Sequence, residues 1–451
     1  MTTQRQTNFA LVALLFGFCI QWIELGPLPV SQIALLLSVV FFTLQAPSKL
    51  PVGTDTDLFK IYGLFTVALL AGLTRTEDFG AGVSAIARSV VYMTLAYFFY
   101  IWLRTIPVEK CVNTLANSVF YVVPAFFVIF WMSSIFAGVD IIKQVLHALS
   151  TGNPNWLQYQ VFAVVLNNGV LDENGLSSAA RHGIMVSLMT VAHLHLFLRR
   201  RKSLLGTALC IFVYSFVFFS LSRSAILALL LGYICVFSVK LVTRQLPITR
   251  LVFLGGSLFL VVVFSGVLQN SGLLSIFSEK FVSDIANNPR VHEFIQIVDR
   301  INTHAVLGWG TGSPLNLFGL NAQYPHNFIL YGWHQAGIVG LLISTLFFGF
   351  VVATLCKGLS LSMRNARSAP RVSRACLLSA ALMCIVVVRL MFAKAGLLAV
   401  PEWIALCLSV YCQRAATLEI IGRKAADQSH DVTSISRGGP QAAFGISLST
   451  R

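Results

Sequence analysis

The chain has 451 residues, of which 56% are hydrophobic and only 11% charged, with a formal net charge of +15. A soluble globule carries about 25% charged residues, so this composition excludes an ordinary soluble domain and predicts a polytopic membrane protein. The nine cysteines lie in or beside apolar segments, without the spacings of a zinc site or a disulfide framework, and read as small apolar residues.

A membrane span needs roughly 20 mainly apolar residues. About twelve segments meet that need, near 9–25, 28–46, 58–73, 83–103, 115–137, 183–199, 203–220, 222–242, 250–268, 328–356, 373–392 and 396–413. All are too long for barrel strands, so the fold class is an all-α integral membrane protein. The first segment lacks a small-residue cleavage site and reads as a span, not a signal peptide. No internal repeat is visible, which disfavours transporters built from inverted repeats.

Most of the Lys and Arg fall in alternate short loops, including Lys49, Lys110, the run Arg199–Lys202, Arg250 and Arg364–Arg374. The positive-inside rule then places both termini in the cytoplasm. The net charge reflects this rule and attraction to anionic lipid, not nucleic acid. Two long loops fall outside, about 138–182 and 269–327. The first holds an amphipathic piece, Val139–Leu149, and a short apolar run, Tyr159–Leu166, suited to the interface. Residues 1–416 form one membrane domain. The tail from Thr417 to Arg451, rich in Ser, Gly and Gln, is expected without structure.

The stretch from Asn287 to Leu341 is polar, long, and leads into an apolar segment. Asn287-Asn288-Pro289-Arg290 predicts a helix start, and Phe294, Ile297, Val298 and Ile301 then share one face. Arg290 in that first turn is either a phosphate-binding fork or an interfacial arginine paired with Glu293 or lipid. Gly308, Gly310 and Gly312 in H-A-V-L-G-W-G-T-G form either a plain turn or a backbone cradle for phosphate. His326 and Asn327 precede the next span. There His326 is a general-base candidate, or the pair simply caps the helix. Gly337-x-x-Gly340 predicts close helix packing.

Arg223 in L-S-R-S-A lies between two spans joined by very few residues. At that depth it needs an anionic partner, a structural acid or a ligand phosphate. Arg181-His182, Arg389 and Lys394 are weaker instances of the same argument. His193 and His195, deep in a span, read as packed or hydrogen-bonded. Asp55-Thr56-Asp57 has the D-x-D pattern of a metal–nucleotide site but falls on the opposite side and reads as a solvated loop. Metal catalysis is not supported.

These motifs resemble the O-antigen ligase and polymerase family of bacterial envelope glycosyltransferases. S-R-S-A-I-L-A at Ser222–Ala228 is similar to that family's S-R-G-A-x-L-A. Arg290 followed by an amphipathic helix and H-A-V-L-G-W-G-T-G is similar to its R…H-P-L-x-G-x-G-x-G. H-N-F-I-L-Y-G-W-H-Q-A-G-I-V-G-L is similar to its H-N-x-x-L-x-x-x-x-E-x-G-x-x-G-L. D-E-N-G-L, with Asn174, resembles its N-x-N/D-x-N segment. Ala305 stands where the family has Pro, and Gln335 where it has Glu, which questions any role needing a carboxylate there.

The resemblance implies a GT-C-like enzyme of the inner membrane with its active site facing the periplasm. It would take a glycan from undecaprenyl diphosphate, without cofactor or metal and with inversion. The acceptor would be a hydroxyl on lipid A–core for a ligase, or on a second lipid-linked glycan for a polymerase, where a chain-length regulator is a further partner. Arg290 and Arg223 would bind the diphosphate and His326 would serve as base. Asn327, Arg181, Asn174 and the three glycines would line the substrate site. A transporter or flippase is the competing class, and it predicts broken helices and mid-span charges. A structural scaffold explains the outward Arg and His residues poorly.

Overall fold

The structure is a computed structural model that describes residues 56–105, 114–151, 178–199, 203–220, 222–244, 289–313, 327–392 and 398–437, with Pro325 and scattered positions before residue 45. It is almost entirely helical. The exception is a two-residue antiparallel ladder, β1 (Glu24–Leu25) with β2 (Leu28–Pro29), Glu24 pairing Pro29. That ladder turns the chain where the first two spans were expected to end and begin.

The helices are α1 (Asp57–Gly72), α2 (Phe79–Thr105), α3 (Val119–Phe136), α4 (Ile141–Thr151), α5 (Ser178–Leu198), α6 (Leu204–Phe219), α7 (Arg223–Val242), α8 (Pro289–Thr303), α9 (Phe328–Arg364), α10 (Pro370–Phe392) and α11 (Val400–Arg437). Among the described residues, 7 helices are long and apolar enough to cross a membrane, with shorter apolar helices at Gly183–Leu198 and Leu204–Val217. The expected span at 250–268 lies outside the described residues, as do most of 9–25 and 28–46.

The periodic apolar residues sort these helices by depth in the bundle. α10 is the central helix: Val372, Cys376, Leu378, Leu382, Ile385 and Val388 are all buried, on faces that meet α5, α7, α9 and α11. By contrast α3 exposes Tyr121, Val128, Ile135 and Phe136, and α6 exposes Leu204, Leu205, Ile211 and Phe212. Apolar surface of that extent suits lipid, not water. An aromatic knot ties α1, α9 and α11 together. Tyr62 lies 4.7 Å from Trp403 and 5.2 Å from Phe347, and Phe65 lies 4.8 Å from Phe328, centroid to centroid. These separations suit aromatic pairs.

Two expectations need correction. The apolar segment at 328–356 is not one straight span. Its helix breaks at Ala336 (φ −132°, ψ 17°) and Gly337 (φ 62°, ψ −149°), a conformation open in practice only to glycine. The chain folds back there. Ser344 Oγ donates to the carbonyl of Ile329 at 3.5 Å, although a continuous helix would hold them roughly 20 Å apart. A short arm, residues 328–335, therefore lies beside the first turns of a long arm, residues 338–364. The long arm runs roughly 40 Å by helical rise, enough to cross a bilayer alone.

The second correction concerns the tail, which is helical as far as Arg437 instead of lacking structure from Thr417. Helix formers dominate its first part, and Glu419 accepts from Arg423 Nη2 at 2.6 Å, an i,i+4 pair that supports a helix.

Other expectations hold. The amphipathic piece after residue 138 is helix α4. His193 Nδ1 bonds the Met189 carbonyl at 2.6 Å, and His195 Nδ1 bonds the Ala116 carbonyl at 2.7 Å. The described cysteines are free thiols. The D-x-D expected as a solvated loop is instead a helix start: Asp57 opens α1 and pairs with Lys60 at 2.8 Å, and Thr56 before it is buried. Asp55 lies outside the described residues.

Candidate functional site

The short arm begins at Asn327. Its side-chain Oδ1 accepts from the amides of Ile329 (2.9 Å) and Leu330 (3.2 Å), a cap that satisfies the first free N–H groups of the helix. Its Nδ2 reaches Met391 Sδ at 3.7 Å, at the Phe392 end of α10. Phe328 is fully buried in the aromatic knot, beside Tyr62 and Phe347. So the arm starts deep in the bundle and ends at Gln335, buried against the end of α1.

α8 packs on this arm, with Ile297 and Ile301 buried against Leu330 and Trp333. This is the face expected from the spacing of Ile297, Val298 and Ile301, and its partner is the bundle. Contacts at the C-terminal end of α8 set its direction. Trp333 Nε1 donates to the Ala305 carbonyl at 3.0 Å, and Trp309 N donates to the His334 carbonyl at 2.8 Å. The ends of α8 and of the arm thus meet, so the two helices run in the same sense. Their starts, Pro289-Arg290 and Asn327-Phe328, share the other end. Two parallel helix N-termini together favour an anion there.

α7 arrives from a third direction. Val236 and Val239 pack with Leu377, and Gly232 lies against Ala381, so α7 runs antiparallel to α10. Its first residue is Arg223, with Ser222 at the N-cap position. Helix direction carries that residue toward the Phe392 end of α10, where Asn327 touches Met391.

The sequence candidates fall differently. Arg223, Arg290 and Arg181 sit in helices by their backbone, but their side chains lie outside what is described. His326 and Asn174 lie outside the described residues. The three glycines are buried, with φ of 72° at Gly308, 98° at Gly310 and 96° at Gly312. Backbone fills the space beside each. A Cβ at Gly308 would meet Ala336 N at 3.0 Å, and one at Gly310 would meet Arg75 C at 2.6 Å. One at Gly312 would run into Gly82 N. Of the turn and the phosphate cradle, the structure shows the turn. The close approach that these glycines permit is to this chain's own backbone, at the α1–α2 corner and at the break in α9.

That turn is fastened from several sides. Thr311 N donates to the Gly72 carbonyl at 3.1 Å and its Oγ1 to the Leu69 carbonyl at 2.6 Å. Glu77 N donates to Ser313 Oγ at 3.2 Å. Gln335, fully buried, accepts from Gly312 N through Oε1 at 2.6 Å. Its Nε2 donates to His334 Nδ1 at 2.7 Å and to the Ser313 carbonyl at 3.4 Å. An amide supplies both the acceptor and the donors that this position uses; a carboxylate supplies only acceptors. Residue 335 therefore acts as a strap between the arm and the glycine turn.

Two residues of this fastening carry no strong local signal. Arg300 is 5% exposed, stacks 4.2 Å above the Trp309 ring, and faces Glu77 at 4.0 Å. Its backbone carbonyl accepts from Trp309 Nε1 at 3.0 Å. On an amphipathic helix an arginine next to Ile301 is expected in water. Here the turn folds over it. Elsewhere, Arg389 and Glu402 form a buried ion pair, Nε to Oε1 at 3.3 Å, where α10 ends and α11 begins.

Residues 208–345 match the family model described as O-antigen ligase. Over that region, somewhat under a third of its length, the chain is similar to that family. The family region runs from within α6 to the first turns of the long arm. It contains Arg223, Arg290, the glycine turn, His326 and Asn327. Arg181 and Asn174 precede it, and the Arg389–Glu402 pair follows it. No curated protein matches the chain. Among the described residues, no cluster of three or more His, Cys, Asp and Glu could hold a metal ion.

Proposed function

We propose that this chain transfers a glycan from undecaprenyl diphosphate to an acceptor hydroxyl at the periplasmic face of the inner membrane. The preferred acceptor is lipid A–core, which makes the chain an O-antigen ligase. The family match over residues 208–345 carries this reading, because it encloses both candidate arginines and the candidate base. Helix direction supports it, since the starts of α7, α8 and the short arm head for the Phe392 end of α10.

The acceptor oxygen attacks the anomeric carbon from the face opposite the diphosphate. A carbon–oxygen bond forms, the bond to the diphosphate breaks, and the configuration inverts. The diphosphate leaves with the electron pair, its growing charge stabilised by Arg290 and Arg223. The hydroxyl proton goes to His326. Diphosphate is a good leaving group, so acid assistance at the leaving oxygen is not required. No step in this scheme calls for a metal.

Glycan transfer in membranes from a deletion strain, complemented with wild type, His326→Ala or Arg290→Ala, tests this reading. Loss of transfer at unchanged protein level is the expected result for both variants. Accumulation of full-length lipid-linked polymer marks a ligase, and accumulation of single repeat units marks a polymerase. Normal transfer by both variants would overturn the proposal and favour a transporter.

A further inference from the structure

We propose that Arg88 of α2 holds the phosphate of a membrane lipid, at a site separate from the one described above and independent of the transferase reading. The inference starts from depth. α2 from Phe79 to Arg104 is long and apolar enough to cross a membrane. Its start lies beside the glycine turn, since a Cβ on Gly82 would run into the Thr311 carbonyl. Gly82 to Arg88 is roughly 9 Å of helical rise, so Arg88 lies inside the span.

The helix faces place it further. At about 100° per residue, the exposed arc of α2 runs through Val83, Ala87, Val91 and Ser84 and ends at Arg88. The packed arc begins beside it with half-buried Tyr92 and continues through buried Ala85 and Ser89. Arg88 therefore stands at the seam between the lipid-facing side of α2 and the bundle.

A cation in that place is costly without an anion. Arg88 Nε donates to the Ser84 carbonyl at 3.3 Å, one turn back toward the glycine turn. That bond aims the guanidinium at the nearer membrane surface and leaves both Nη groups of the planar fork. Among the described residues no carboxylate pairs with Arg88. Tyr92 is within electrostatic reach of both Arg88 and Glu402, but Glu402 is held by Arg389, Nε to Oε1 at 3.3 Å. The fork matches phosphate oxygens, and a long side chain in the outer part of a span reaches the level of lipid phosphates. Two kinds of lipid offer that group, a bilayer phospholipid and a lipid-linked diphosphate.

The test uses the purified full-length chain in detergent, with phosphatidylglycerol, farnesyl diphosphate and uncharged diacylglycerol as probes and native mass spectrometry to count bound lipid. Arg88→Leu is expected to keep the wild-type unfolding temperature, because the side chain faces lipid. It is expected to bind phosphatidylglycerol about tenfold more weakly, with no change for diacylglycerol. Arg88→Lys keeps the charge but loses the fork, and is expected to fall between. Arg75→Leu, at an exposed arginine of the α1–α2 corner, is expected to bind as wild type does. Displacement of phosphatidylglycerol by a lower concentration of farnesyl diphosphate, lost in Arg88→Leu, assigns the site to a lipid-linked diphosphate. The reverse order of affinity assigns it to a phospholipid.

Three results would overturn the inference. Wild-type affinity of Arg88→Leu for both phosphate lipids removes Arg88 from lipid binding. An equal loss in Arg75→Leu reduces the effect to overall charge. Diacylglycerol bound as tightly as phosphatidylglycerol shows that the phosphate is not what is held.

Discussion

Gly332 lies against Gly340 across the fold-back of α9, with no room for a side chain on either. A Cβ on Gly332 would meet the Gly340 carbonyl oxygen at 2.7 Å, and a Cβ on Gly340 would run into the Gly332 carbonyl. The contact presses the short arm onto the long arm and so fixes how deep Asn327 sits. Gly332→Val and Gly340→Val should each destabilise the protein by about 1–3 kcal/mol, the usual range for overpacking. Thermal unfolding in detergent measures this. A Gly349→Val control, at a glycine with nothing within 4 Å, should leave the transition unchanged.

Asn327 serves the arm through one oxygen, which accepts from two amides. Asn327→Ala should cost about 1 kcal/mol, the loss of a helix cap. Asn327→Asp keeps the oxygen and should restore that stability. If the cap is the residue's whole contribution, Asp also restores glycan transfer. Recovery of stability without recovery of transfer would show that the amide Nδ2 itself contributes to the reaction.

Gln335 uses both ends of its amide. Gln335→Leu removes the Oε1 acceptor from the buried N–H of Gly312 and should cost about 1–3 kcal/mol. Gln335→Glu keeps that acceptor but loses the donors to His334 and Ser313, so its unfolding temperature should lie between those of wild type and the leucine variant. A glutamate variant at or below the leucine variant would contradict the strap.

Trp309 covers Arg300. Trp309→Leu removes the stacked ring and the indole N–H bonded to the Arg300 carbonyl, while leaving the cation buried. The expected loss is about 2–4 kcal/mol. The double variant Trp309→Leu with Arg300→Met should recover part of it, because the buried charge is gone. A double-mutant cycle by thermal unfolding reads this coupling directly.

Much of the bundle was legible in residue order, and the gaps have physical causes. Helix lengths follow from apolar runs, and α10 reads as a span because almost every residue from Val372 to Leu390 is apolar or small. The fold-back at Gly337 was hidden, because the residues on both sides are good helix material. Only one backbone angle pair separates a straight span from a hairpin. The Gly337-x-x-Gly340 pattern did signal close packing, but Gly340 meets Gly332 of the same chain, and Gly337 is the turn itself. Arg290 and its helix face were readable from Pro289 and the isoleucine spacing. Arg300, Trp309 and Gln335 were not, since their partnership depends on a turn folding over a helix, and no local period encodes that.

Pinning residues 312–313 and residue 327 by separate devices has a consequence for how such proteins diversify. Gln335, Thr311 and Ser313 hold one end of the intervening segment to the α1–α2 corner. The Asn327 cap and the aromatic knot hold the other. Neither anchor depends on what joins them, and the entropic cost of lengthening a loop rises only with the logarithm of its length. Segments of many sizes and compositions could therefore join these posts while the glycine turn and the start of the short arm keep their places.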